Sequence, residues 1–230
     1  MNRAFPILGI LTAILLSYAL YMALVVAPTE QTMGDVQRIF YYHVPSAWTA
    51  FILFTINFVA SLVYLARRQP AADIIALVSA EVGVVFCTIV LVTGPIWARP
   101  VWGIWWTWDM RLTSTLVLWL IYVSYLVLRR FSASGETPVL AAALAVLGAL
   151  CVPFVYFSIW FFRTQHPQPV MGGGGSIDPR MLHVLLINWL AFSCFAFLVC
   201  WSRYRLEKLQ REVEQAQALD SLTQAHRRTR

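Results

Sequence analysis

Ile74-Ile75-Ala76-Leu77-Val78-Ser79-Ala80-Glu81-Val82-Gly83-Val84-Val85-Phe86-Cys87-Thr88-Ile89-Val90-Leu91-Val92-Thr93-Gly94-Pro95 carries one charged side chain, Glu81, in a run long enough to cross a bilayer. A spanning helix needs roughly 20 mostly apolar residues. Five other stretches meet that length: about Phe5 to Ala27, Trp48 to Ala66, Leu112 to Leu128, Val139 to Phe161 and Met181 to Trp201. Composition agrees, with 60% hydrophobic residues, 12% charged residues and a positive mean hydropathy, far outside a soluble domain. The apolar runs are continuous, whereas barrel strands alternate over about ten residues. The chain therefore reads as an all-α membrane protein with six transmembrane helices over residues 1–202, followed by a polar helical tail over 203–230.

Basic residues orient the bundle. Arg3, Arg67-Arg68, Arg129-Arg130 and the tail from Arg203 to Arg230 fall on one side, and Arg38, Arg99, Arg111, Arg163 and Arg180 on the other. The positive-inside rule then makes both termini cytoplasmic. The three longer loops, about Pro28 to Ala47, Ile96 to Arg111 and Phe162 to Arg180, share the outer face, which is periplasmic in the inner membrane of a Gram-negative bacterium. The net charge of +6 reflects this asymmetry and is no argument for nucleic acid. The tail suits a partner or anionic membrane lipid. The first apolar run is too long for a removed signal peptide and lacks a small-residue cleavage site. Cys87, Cys151, Cys194 and Cys200 lie inside spans without a C-x-x-C pair and read as buried hydrophobes; the absence of C-x-x-C-H excludes a c-type cytochrome of the usual kind.

The second outer loop packs four indoles and a carboxylate into Trp102-Gly103-Ile104-Trp105-Trp106-Thr107-Trp108-Asp109. Gly94-Pro95 and Arg99-Pro100 before it read as the break that ends the third span. In a helical loop Trp102, Trp105, Trp106 and Asp109 would share one face. Asp109 also reads as the cap of the fourth span. In the first outer loop the spacing of Val36, Ile39, Phe40 and His43 predicts a short surface helix. Pro45 then suits the first turn of the second span, which places His43 just above the bilayer. The third loop holds His166 between prolines and glycines, and Asp178-Pro179 reads as N-cap and first residue of the last span.

Imidazole is the commonest axial ligand of haem iron, indoles stack on porphyrin faces, and guanidinium pairs with propionates, for which Arg99 and Arg111 are candidates. A haem site could be assembled from these loops. Each element has a plainer reading: a solvated loop histidine, an aromatic belt at the membrane boundary, arginines on lipid phosphate. Four indoles in one loop are denser than a belt, which scatters single aromatics. Glu81, an acid within a span, could bond a partner helix, line a path or relay a proton. His183, a turn inside the last span, reads as hydrogen-bonded to a neighbouring helix.

These residues carry a resemblance. Gly94-Pro95-x-Trp97-x-Arg99-Pro100, then Trp102-Gly-x-Trp-Trp-x-Trp-Asp109-x-Arg111-Leu112-Thr113, with His43-Val-Pro-x-Ala-Trp48 upstream, resembles the WWD-domain haem handling proteins. With six spans the chain is similar to their haem exporter protein C family, of cytochrome c maturation system I, from about Met33 to Trp201. The resemblance implies haem b, bound transiently at the outer face between His43 and His166 as axial ligands. The WWD loop, with Trp102, Gly103, Trp105, Trp106, Trp108 and Asp109, would contact the ring. It further implies delivery to a periplasmic haem chaperone whose histidine becomes covalently attached, a haem-lyase-like role at most. The implied partners are an ABC transporter, with ATPase and membrane subunits, and a small single-span protein. The rival classes are a resident b-type cytochrome and a solute transporter with the tryptophans as membrane anchors.

Overall fold

In a computed structural model the chain is described over residues 4–131, 137–167 and 177–228. Helix α1 (Ala4–Tyr21) widens into a π turn at Met22–Val26, and a 3-10 turn at Asp35–Ile39 feeds α2 (Phe40–Arg67). Then come α3 (Pro70–Trp102), α4 (Met110–Phe131), α5 (Thr137–Ala149), α6 (Cys151–Phe161) and α7 (Pro179–Arg228). No strand occurs among the described residues; one isolated bridge joins Glu30 and Gly34. Among the described residues six helical segments are long and apolar enough to cross a membrane, with α5 and α6 forming one of them, as the hydropathy reading requires.

The pair α2–α3 is the spine. Helix α2 also packs on α5 and α7, α4 lies against α3, α5 and α6, and α1 rests on α7. At mid-height Phe54 stacks on Tyr122 with ring centroids 3.9 Å apart, inside a core that includes Leu53, Phe86 and Leu118. Gly83 is what lets α3 come this close, since a Cβ there would lie 2.7 Å from Phe54 Cε1. Polar side chains in such a bundle must find protein partners. Asn57 Nδ2 donates to the Ala76 carbonyl at 2.7 Å, and Asn188 Nδ2 to those of Val184 and Ala19 at 2.9 and 3.3 Å, tying α7 to α1.

At the end remote from the tryptophan run the bundle closes with ion pairs. Arg129 of α4 donates to both oxygens of Asp73 at 2.5 and 2.8 Å, and Arg211 of α7 reaches the same carboxylate at 2.8 Å. Arg203 of α7 holds Glu81 through two 2.9 Å bonds. Helix α7 runs unbroken for 50 residues, about 75 Å at 1.5 Å per residue, so no break marks residue 203.

Three prolines behave differently from the sequence expectation. Pro95 and Pro100 lie inside α3, which continues to Trp102, and Pro45 lies inside α2, which begins at Phe40. Each proline removes one N–H from the helical ladder, but packed neighbouring helices hold the remaining turns in register. What ends α3 is Gly103, at φ +77°, whose N–H caps the Arg99 carbonyl at 3.0 Å. His43 consequently sits within the first turns of α2, buried, and not above the helix. The expected surface helix is only the 3-10 turn that runs into α2. There Arg38 donates to the Ala23 and Ala27 carbonyls at 2.8 and 3.4 Å, satisfying the end left open by the π turn.

Candidate functional site

His43 lies in a slot between α2 and α3. Its Nδ1 is 2.8 Å from Thr93 Oγ1, whose hydroxyl is 2.6 Å from the Ile89 carbonyl. A hydroxyl has one proton, and with that proton on Ile89 the oxygen accepts from His43 Nδ1–H. The lone pair is then left on Nε2. Trp97 meets the imidazole edge-on at 5.9 Å and rests in turn on Phe40 at 6.1 Å. Gly94 faces the other edge, where an added Cβ would stand 3.5 Å from His43 Cε1.

His166 lies on the segment that follows α6, half-buried. Its Nδ1 is 2.8 Å from the Pro167 carbonyl oxygen, which can only accept, so this ring also carries its proton on Nδ1 and its lone pair on Nε2. Its backbone N–H donates to Thr164 Oγ1 at 3.1 Å. Desolvation, with the Arg111 guanidinium nearby, pulls its pKa down to about 4, against the opposing pull of the Pro167 carbonyl and Asp109. It is neutral at physiological pH. His43 lies within electrostatic reach of both His166 and Arg111. Two histidines far apart in sequence are thus both within electrostatic reach of Arg111, in the first turn of α4.

The tryptophan run is not helical. After Gly103 the chain is irregular until Asp109, so the expected shared face of Trp102, Trp105, Trp106 and Asp109 does not form. Trp102 ends α3 and, like Trp106, is half-buried; Trp105 and Trp108 are exposed, at 58% and 76%. Asp109 caps α4 as expected: Oδ1 accepts from the Leu112 N–H at 3.0 Å and Oδ2 from the Thr107 hydroxyl at 2.9 Å. Asp178 likewise caps α7, accepting from the Arg180 N–H at 2.8 Å.

The arginines are engaged. Arg99 donates to the Gly103 carbonyl and fastens the turn below the tryptophans. Arg111 donates to the Val155 and Tyr156 carbonyls at 3.2 and 3.3 Å, pinning α4 to α6 while staying beside the histidines. Around them several polar atoms are buried without a partner among the described residues: Trp97 Nε1, Trp106 Nε1 and Thr113 Oγ1. A buried, unpaired N–H costs roughly 1–3 kcal/mol. Two imidazole lone pairs beside unspent donors and exposed indole faces suit a flat metallated macrocycle with acidic side groups.

Two expected residues lie elsewhere. His183 is on the exposed face of α7, with no partner helix to bond among the described residues, because its side chain points away from the bundle. Glu81 stands 13 residues from Gly94 along α3, about 20 Å away, and its carboxylate is neutralised by Arg203. Thr93 and Gly94 as the cradle of His43 escaped the sequence reading, since a threonine in an apolar helix gives no signal of a partner 50 residues away.

Comparison with known proteins places the chain in a family. The family model described as "Heme exporter protein C" matches residues 1–219. A heme exporter protein C from Bradyrhizobium diazoefficiens is 36% identical over 222 residues, covering 95% of this chain and 84% of the relative. One from Escherichia coli K12 is 32% identical over 206 residues, covering 89% and 82%. A putative cytochrome c biosynthesis ccmC-like mitochondrial protein of Marchantia polymorpha is 34% identical over 185 residues, covering 80% and 78%. The chain belongs to the heme exporter protein C family.

Proposed function

We propose that this protein holds haem at the periplasmic face of the bacterial inner membrane and delivers it to a periplasmic haem chaperone during c-type cytochrome maturation. The reading is supported by His43 and His166 lying within electrostatic reach of one another, each with its Nδ1 in a hydrogen bond that leaves Nε2 for a ligand. Imidazole nitrogens in that state are the donors that axial ligation of iron requires. Haem b is the cargo, and the chain's own residues supply grip and orientation. Trp105 and Trp108 offer flat apolar surface, and the unpaired donors of Trp97, Trp106 and Thr113 offer hydrogen bonds to acidic side groups.

The two histidines are supported unequally. His43 is buried on a helix and bonded to a second helix, whereas His166 is tied only to its own neighbours Thr164 and Pro167. His166 is therefore the ligand able to withdraw when the chaperone's own group takes its place. Orientation follows the arginine asymmetry: the Arg67-Arg68 and Arg129-Arg130 turns and the tail are cytoplasmic, and the tryptophan end is periplasmic. The partners of this reading are an ABC transporter with its ATPase and membrane subunits, a small single-span protein, and membrane lipid. Against the solute-transporter alternative stands Glu81, already committed to Arg203.

The test is spectroscopic. Purified protein should show the low-spin signature of two imidazoles, and His43→Ala or His166→Ala should lose it. Mixing with the apo-chaperone should move haem from the wild type. An unchanged spectrum in the double variant rules out this site.

A further inference from the structure

Thr93 does more than fill a helix. We propose that it is a positioning residue that selects the tautomer of His43 and so decides which nitrogen faces the metal; this rests on the haem-binding reading above.

A neutral imidazole can carry its proton on either nitrogen, and only the Nδ1–H form leaves Nε2 free to ligate. Thr93 discriminates because its hydroxyl proton has a better use. Its oxygen is 2.6 Å from the Ile89 carbonyl, one turn back on α3, and 3.5 Å from that of Val90. With its proton there, Oγ1 meets His43 Nδ1 at 2.8 Å as an acceptor. The same helix contains a copy of this relay in which the direction is unambiguous. Thr88 Oγ1 lies 2.7 Å from the Val84 carbonyl and 2.8 Å from Trp119 Nε1. An indole nitrogen can only donate, so Thr88 must pass its own proton to Val84 and accept from Trp119. Thr93 repeats that arrangement with His43 in place of the indole.

The bond to Thr93 also fixes the ring's orientation. Trp97 packs against the imidazole at 5.9 Å and Gly94 lies by its Cε1, and a ring flipped about its Cβ–Cγ bond would lose the bond to Thr93 with no replacement among the described residues. Accepting the Nδ1 proton also makes Nε2 a stronger donor, as outer-shell partners of metal-bound histidines do.

The experiment compares Thr93→Val, which keeps the shape and removes the hydroxyl, with Thr93→Ser, which keeps the hydroxyl. Full-length protein is purified with haemin bound. Its visible and electron paramagnetic resonance spectra, its iron midpoint potential and the rate of haem loss to apomyoglobin are measured. Thr88→Val is the control, since it breaks the matching relay away from His43. Thr93→Val should hold haem roughly ten- to a hundredfold more weakly, with a more positive potential and an altered low-spin signal. Thr93→Ser should restore all three, and Thr88→Val should leave them at wild-type values. Should the valine variant not fold, Thr93→Ala carries the same comparison. Wild-type spectrum, potential and retention in Thr93→Val, while His43→Ala loses ligation, overturns the role of Thr93 alone. An unchanged spectrum in His43→Ala overturns the haem-binding reading and this inference together.

Discussion

Removing the Asp73 carboxylate should loosen the bundle more than any other single change at the arginine end. Its side chain is only 4% exposed and accepts from Arg129 at 2.5 and 2.8 Å and from Arg211 at 2.8 Å, so it joins α3 to both α4 and α7. In Asp73→Asn the Arg129 guanidinium, 9% exposed, loses its counter-charge while it still faces the Tyr125 ring at 5.7 Å. Breaking a buried pair by removing one partner costs about 3–5 kcal/mol, because the remaining charge is left uncompensated. Arg211 loses less: it is 27% exposed and retains Glu207 at 2.8 Å, so Arg211→Gln should cost about 1 kcal/mol or less. The double change Asp73→Asn with Arg129→Gln removes both charges and should recover much of the loss. Equilibrium unfolding of the detergent-purified protein by titration with a denaturing detergent, read by helical circular dichroism, measures all four forms. The reasoning fails if Asp73→Asn costs no more than Arg211→Gln, or if the double change is as unstable as Asp73→Asn.

Gly83→Ala should destabilise by about 1–3 kcal/mol, because its methyl would stand 2.7 Å from Phe54 Cε1 and push that ring off Tyr122; Gly9→Ala, inside α1 with nothing within 4 Å, should be neutral to stabilising in the same unfolding titration. His166, held near 4, binds fewer protons folded than unfolded between that value and the ordinary 6.5. Its contribution to stability therefore rises with pH across that window and is flat above it, which unfolding of the haem-free protein at pH 4.5 to 8, compared with His166→Gln, will show. Because protons compete for the same lone pair only near pH 4, His166 ligation should not weaken between pH 8 and 5, whereas a solvated imidazole would already lose affinity below 6.5; Soret titrations over that range decide it. Asp109→Ala should lower stability by about 1 kcal/mol through the lost cap, and Asp109→Asn by a few tenths, read from the same melts.

The six spans were legible because hydropathy is additive over a window, and no long-range contact is needed to sum it. The ends of the helices were less so. Pro95 and Pro100 carry a strong local penalty, and a reading from local chemistry stops the helix there. In the bundle the turns around them are held by neighbouring helices, a tertiary effect with no trace in the segment itself. The tryptophan run shows the opposite error. Its 3, 4 and 7 spacing satisfies a helix template, yet Gly103 is a stop signal and Asp109 a start signal, and the five residues between them cannot make a packed helix. Weighing the caps above the period would have found the irregular loop.

At the site, residue type was readable and residue state was not. His43 stood out as an imidazole beside a helix start, but its role depends on which nitrogen holds the proton, and Thr93 on another helix sets that. His166 looked like a loop residue free in water. The fold shields it in part from water and places Arg111 nearby, and these two effects, neither visible in Gln165-His166-Pro167, keep it neutral. A pattern of letters can say that two imidazoles exist. Their hydrogen bonds to Thr93 and to the Pro167 carbonyl are what favour the same free nitrogen on both rings, and the proposed ligand role turns on that identity.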